Sequence, residues 1–240
     1  MAQHLYAKTK LMNNRNITDI FFDLDHTLWD FDKNSGLAFE RVFKTFEIPL
    51  QLEDFLAVYE PINLQYWRLY REERIEKQAL RRGRLGDAFA QFELSYPLNT
   101  IDAMAEQYIE ELPKDNYLFD GATELLEYLQ PNYRLHLITN GFHGVQHRKI
   151  QNSGIAHFFE TVTTSEDVGA KKPNPKVFEH ALALAGVTAT TSMMIGDSFE
   201  ADILGAEAVG FKTIFFNYRN QDVAQGRIAV NSLDAIKNHL

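Results

Sequence analysis

The chain has 240 residues, 45% of them hydrophobic and 24% charged, with a net charge of −9 and no cysteine. That fits one large globular domain, or a core domain with one sizeable insertion, and it excludes disulfides and thiolate metal sites while agreeing with a reducing, cytoplasmic setting. The acidic balance argues against nucleic acid polymers and anionic membranes as partners, no apolar run is long enough to span a bilayer, and a small anionic substrate remains open because charge at a site can oppose the global sign.

Residues 1–16 read as a loosely attached tail, with Lys8, Lys10 and Arg15 but no continuous apolar stretch of the kind a signal peptide needs. Residues 19–25 read as a short buried strand, in which Ile20-Phe21-Phe22 runs into Asp23-Leu24-Asp25-His26-Thr27. From Asp32 to Leu112 the apolar spacing is helical. Leu37, Phe39, Val42, Phe43 and Phe46 mark one helix, ended by Ile48-Pro49. A second runs from Glu53 into the 70s, and Arg84–Leu94 and Thr100–Leu112 are two more, punctuated by Pro97 and Pro113.

After Pro113 short apolar strands alternate with helices. The helices are predicted over 121–130, 143–153, 173–185 and 200–209, and the strands over 134–138, 160–164, 192–195 and 213–216. This alternation predicts an α/β fold, a Rossmann-like parallel sheet covered on both faces. The expected core comprises residues 17–30 and 115–240, with an all-helical cap inserted over 31–114. Insertion at Leu28-Trp29-Asp30 implies a cap above the carboxyl ends of the strands, where open α/β sheets bind ligands and a cap can exclude water.

Four groups of polar residues follow the predicted strands. Asp23 and Asp25 come first, with Thr27. On an extended strand they share a side, roughly 6–7 Å apart, and their repulsion asks for a hard cation such as Mg²⁺. Thr139-Asn140-Gly141 offers a hydroxyl, an amide and a backbone N–H at a helix start, an anion cradle. Lys172, in Lys171-Lys172-Pro173, supplies a compact positive charge. Gly196-Asp197-Ser198, with Asp202 beyond, adds carboxylates for the metal. Each group alone is an ordinary cap or turn; their shared place at the C-terminal strand ends of one sheet makes a common site the better account.

Asp-x-Asp-x-Thr, Thr-Asn-Gly, Lys-Pro and Gly-Asp-Ser-x-x-x-Asp, in that order, resemble the four motifs of the haloacid dehalogenase-like hydrolase superfamily, over Ile17 to Asn217. The helical insertion after the first motif resembles the C1-cap subgroup. Ile138-Thr139-Asn140-Gly141-Phe142 followed by Gln146 and Arg148 looks most like the pyrimidine 5′-nucleotidases, with sialic acid 9-phosphate phosphatases next.

The resemblance implies a Mg²⁺-dependent phosphatase acting on a small phosphorylated metabolite, a nucleoside 5′-monophosphate above others. Asp23 is then the nucleophile and Asp25 the general acid and base. The metal is held by the Asp23 and Asp197 carboxylates and the Asp25 carbonyl. Thr139, Asn140 and Gly141 hold the phosphoryl oxygens, and Lys172 neutralises charge, with Lys171 its rival. Thr27, Ser198 and Asp202 support the site. Trp29 and Phe142, beside the motifs, are expected to touch the leaving group, whereas His143, Gln146 and Arg148 read as structural or rim residues. The competing readings are a 2-haloacid dehalogenase, against which Asp25 speaks because halide leaves without a proton, and a non-catalytic phospho-ligand binder.

Overall fold

The computed structural model describes residues 16–223 and 226–240, so the expected tail lies outside the described residues apart from Asn16. The chain divides into two compact units, one of residues up to Asp30 together with Tyr117–Leu240, the other Phe31–Asn116.

In chain order the elements are β1 (Asp19–Phe22), α1 (Phe31–Thr45), α2 (Leu52–Arg71), α3 (Lys77–Ala90), α4 (Leu98–Glu111), α5 (Ala122–Leu129), β2 (Arg134–Thr139), α6 (His143–Asn152), β3 (Phe159–Thr164), α7 (Ser165–Val168), α8 (Pro175–Ala185), β4 (Ser192–Gly196), a π-helical turn (Phe199–Leu204) that runs into α9 (Gly205–Ala208), β5 (Lys212–Phe216) and β6 (Ala229–Val230).

The six strands form one parallel sheet in the order β3-β2-β1-β4-β5-β6. Connections run outward in opposite directions from β1, so a crevice opens at its carboxyl end, the place where doubly wound sheets take ligands. The central strands are buried on both faces and mostly apolar: all four residues of β1 and all five of β4 are buried, with Asp19 and Ser192 the polar ones. Phe21, Ile138, Met194, Val177, Phe178 and Phe211 form one cluster of the core. Local signals set the helix ends. In α8 the Asn174 side chain accepts the Lys176 N–H, proline opens the helix, and Gly186 closes it at φ 69°.

Strand β1 ends at Phe22, three residues short of the expected end. The Leu24 carbonyl accepts the N–H groups of Thr27, Leu28 and Trp29 at 3.3, 3.0 and 2.9 Å, and His26 takes φ 62°. This turn removes Asp25 from the strand, so Asp23 and Asp25 do not share one strand face. The predicted 200–209 helix begins instead as a π turn, in which the Ile203 N–H bonds the Ser198 carbonyl at 3.3 Å.

The unit of α1–α4 has an aromatic core, with Phe39 packed on Phe55, Tyr59 and Tyr108 at ring-centroid distances of 5.2, 4.6 and 4.3 Å. Several of its arginines are engaged within the unit. Arg82 forms a bidentate pair with Asp102 at 2.5 and 2.6 Å, and buried Arg84 donates to Asn63 at 2.9 Å and lies 5.2 Å from the centre of the Tyr108 ring. α3 starts seven residues before the predicted 84–94 helix; within it Gly83 packs closely against Tyr66 and Arg84 is buried.

Candidate active site

The parallel register levels Phe22 with Leu137 on one side and Ile195 on the other. One residue further on, Asp23 stands beside the ends of β2 and β4, its N–H still bonded to the Ile195 carbonyl at 2.9 Å. Thr139, at the end of β2, and Asp197, just after β4, therefore reach the same crevice as Asp23.

Asp23 is buried and answered by Lys172. The lysine Nζ donates to Asp23 Oδ1 at 2.6 Å and to the Ile138 carbonyl at 2.7 Å, and it forms an ion pair with Asp202 Oδ1 at 2.6 Å. Two hydrogen bonds and an ion pair, all to buried groups, fix the position of the ammonium. Burial works against the Lys172 charge, but Asp202 and Asp23 outweigh it and hold its pKa above the ordinary lysine value. Asp202 in turn accepts the Ser198 N–H at 3.0 Å on Oδ2. The π turn aims Asp202 inward, and Gly196 leaves it room: a Cβ there meets Asp202 Oδ2 at 2.3 Å. Burial, opposed by Lys172 and reinforced by Asp202 and Asp25, pushes the Asp23 carboxyl up to about 7. Asp197 is also driven well above the carboxylate range, by loss of hydration and then by Asp23 and Asp202, with Arg219 offsetting part of it.

Asp25 has a different set of neighbours. Its Oδ1 accepts from Lys149 Nζ at 2.6 Å and its Oδ2 from Gln146 Nε2 at 3.0 Å. Lys149 is buried, with Nζ 4.0 Å from the centre of the Trp29 ring. Gln146 also donates to Thr139 Oγ1 at 2.7 Å, and that oxygen accepts the Gly141 N–H at 3.1 Å. With both lone pairs occupied, the Thr139 hydroxyl hydrogen is its one remaining bonding position.

Several expected contacts turn out otherwise. The Asn140 amide is turned to the backbone of Lys172: its Nδ2 donates to the Lys172 carbonyl at 3.0 Å and its Oδ1 accepts the Lys172 N–H at 2.8 Å, which leaves one Nδ2 hydrogen for a further acceptor. Asn140 therefore clasps the backbone that presents the lysine. The Gly141 N–H is committed to Thr139, and the residue is glycine for space, since a Cβ meets Gln146 Cδ at 2.3 Å. Trp29 is fully buried, with Lys149 against its ring, and Phe142 is the buried residue that precedes α6. Thr27 is buried and, among the described residues, its hydroxyl has no hydrogen-bond partner, so it does not hold Asp25. Ser198 caps the π turn through the Ala201 N–H. It is the Lys172 side chain, not that of Lys171, that meets Asp23. Gln146 is no rim residue, and Lys149 is a further member that the motifs do not mark. Its signal lies in α6, where Gln146 and Lys149 share the buried face with Val145 and Ile150.

Ligand atoms of Asp23, Asp197 and Asp202 lie within 4.8 Å of one another. The hard oxygen donors and the raised carboxyls of Asp23 and Asp197 fit a divalent cation, whose charge relieves their crowding. Asp202 also pairs with Lys172 and accepts the Ser198 N–H, so it ties the lysine to this acidic cluster.

Residues 20–216 match the family model described as haloacid dehalogenase-like hydrolase. The chain belongs to this hydrolase family. It is 34% identical over 212 residues to pyrimidine 5′-nucleotidase YjjG of Escherichia coli, covering 86% of this chain and 89% of that one. It is 31% identical over 200 residues to pyrimidine 5′-nucleotidase PynA of Streptococcus pneumoniae, covering 82% and 83%. Among solved structures, the magnesium-bound HAD-hydrolase YfnB of Bacillus subtilis superposes with a TM-score of 0.85 at 26% identity, over 93% of this chain and 98% of that one.

Proposed function

We propose that this hydrolase cleaves a nucleoside 5′-monophosphate, with Mg²⁺, through an aspartyl-phosphate on Asp23. The observation that carries the reading is the division of labour between the two carboxylates: Asp23 sits with Lys172 and Asp202, while Asp25 sits with Lys149 and Gln146. One can bond to phosphorus while the other handles protons.

Lys172 holds Asp23 Oδ1, which leaves Oδ2 to attack phosphorus in line with the leaving oxygen. The Thr139 hydroxyl donates to a phosphoryl oxygen. Lys172, held between Asp23, the Ile138 carbonyl and Asp202, contributes positive charge. Asp25 gives a proton to the departing alkoxide, then takes one from the water that splits the aspartyl-phosphate and restores Asp23. The Asp23 and Asp197 carboxylates, with the Asp25 main-chain carbonyl, would hold Mg²⁺, which would supply positive charge to the phosphoryl group.

A dehalogenase has no use for Asp25, because halide leaves unprotonated. The names of the two nucleotidase relatives support the nucleotide substrate. Phosphate release from a panel of nucleoside monophosphates and sugar phosphates, with Mg²⁺ and with EDTA, tests the reading. Pyrimidine nucleotides lead the panel if it holds; a preference for sugar phosphates removes the nucleotide assignment, and turnover unaffected by EDTA removes the metal.

A further inference from the structure

We infer that Lys149 is a positioning residue for proton transfer: with Gln146 it clamps the Asp25 carboxylate at both oxygens and fixes the direction in which its remaining lone pairs point. The inference rests on the reading of Asp25 as the group that protonates the leaving oxygen.

A carboxylate has about four acceptor positions. Lys149 Nζ takes one on Oδ1 at 2.6 Å and Gln146 Nε2 one on Oδ2 at 3.0 Å, leaving one on each oxygen. Two donors on different oxygens define the carboxylate plane, which a single bond leaves free to rotate. The donors are themselves immobile. The Lys149 side chain is 2% exposed and lies against Trp29. Trp29 is tied into the same turn, its N–H bonding the Leu24 carbonyl at 2.9 Å and its carbonyl accepting the His26 N–H at 3.0 Å. Gln146 is held by Thr139 at 2.7 Å. Helix α6 and the 24–29 turn are thus stapled together through Asp25 and Trp29.

A buried lysine is a costly element unless it is paired, and this one is paired with the carboxylate that carries the proton. Asp25 keeps 22% of its side chain exposed, so it is the open end of the clamp. Gln146 further links the clamp to the Thr139 hydroxyl, so that one helix face aligns both the phosphoryl-holding hydroxyl and the proton carrier.

The test is the dependence of kcat/KM on the leaving group. This quantity reports the step that forms the aspartyl-phosphate; alkyl phosphates need a proton on the departing oxygen, and 2,4-dinitrophenyl phosphate does not. Lys149→Met keeps the chain length against Trp29 and removes the charge and the donor. It is expected to lower kcat/KM for an alkyl phosphate by ~10²-fold and for 2,4-dinitrophenyl phosphate by less than ~5-fold. Lys149→Arg, which retains a cation and donors, recovers at least ~10-fold of the alkyl phosphate loss. If the methionine variant does not fold, Lys149→Gln gives the same comparison.

Equal losses on both esters overturn the inference in favour of a general structural role, and so does an alkyl phosphate rate that stays at the wild-type level. Asp25→Asn, run beside them, separates the two readings. Leaving-group dependence in Asp25→Asn but not in Lys149→Met removes Lys149 alone. Its absence from Asp25→Asn removes the general-acid role of Asp25 and the inference with it.

Discussion

Asp23 and Asp25 are separated by a single residue, yet the fold gives them different neighbours. Asp23 is enclosed: Lys172 holds it, Asp202 and Asp197 crowd it, and its carboxyl is pushed up to about 7. Asp25 is open on one side and held on the other by Lys149 and Gln146. The turn at Leu24 separates them; had β1 continued to residue 25, both would lie on one face and compete for the same cation. The lesson is that a short motif can carry two roles when a turn assigns each carboxylate its own lysine.

The largest effect expected is at the enclosed carboxylate. Asp23→Asn should lower kcat/KM by ~10⁴-fold or more for every ester, since it removes the attacking group itself. Asp25→Asn should lower it by ~10²–10⁴-fold for alkyl phosphates and far less for esters with a good leaving group. Steady-state kinetics on both ester types checks the pair, and matching profiles for the two variants break the comparison.

The two lysines should differ in stability as well as in chemistry. Lys172→Met leaves Asp23 and Asp202 buried without their cation, and should cost about 3–5 kcal/mol in urea unfolding. Lys149→Met should cost less, because Asp25 retains contact with water. An equal or larger loss for Lys149→Met would reverse the ranking of the two pockets.

The raised Asp23 carboxyl gives a pH dependence with a definite sign. Its folded pKa lies above the ordinary 3.8, so the metal-free native state holds the extra proton. The stability this gives is fully present below the unfolded value and is lost as pH rises through about 7. A cation on Asp23 offsets that loss, so Mg²⁺ should raise the urea midpoint more at about pH 8 than at about pH 5. Equal increments at both pH values would contradict a metal on Asp23. The smallest change is Gly141→Ala, whose methyl group meets Gln146 at 2.3 Å. It should move Gln146 off Asp25 and Thr139 and lower the alkyl phosphate rate by roughly 10-fold, within the range proton-transfer groups contribute.

The parallel sheet and the helical insertion were legible because apolar runs and helical spacing are strong local signals. The convergence of Asp23, Thr139 and Asp197 followed from their common place after strands, whereas Lys172 stands beyond β3 with α7 between them. The turn at residues 24–29 was not legible: Ile20-Phe21-Phe22 runs without a glycine or proline into Asp23, and only the backbone bonds to Leu24 show where the strand stops. The Asn140 clasp was hidden because it joins residues 32 positions apart in sequence. Lys149 was hidden for a related reason, since a lysine on a helix reads as solvated until its partner, 124 residues away, is in place. β6, two residues long, is too short for any periodicity to mark.

The most direct test of the division between Asp23 and Asp25 is rapid-quench analysis of Asp25→Asn with 2,4-dinitrophenyl phosphate. Attack by Asp23 needs no proton carrier with this ester, whereas release of the phosphoryl group needs the base. The account predicts a burst of one dinitrophenol per active site, with one phosphoryl group retained on the protein and mapped to Asp23. Turnover without a burst, or a phosphoryl group mapped to another residue, would contradict it.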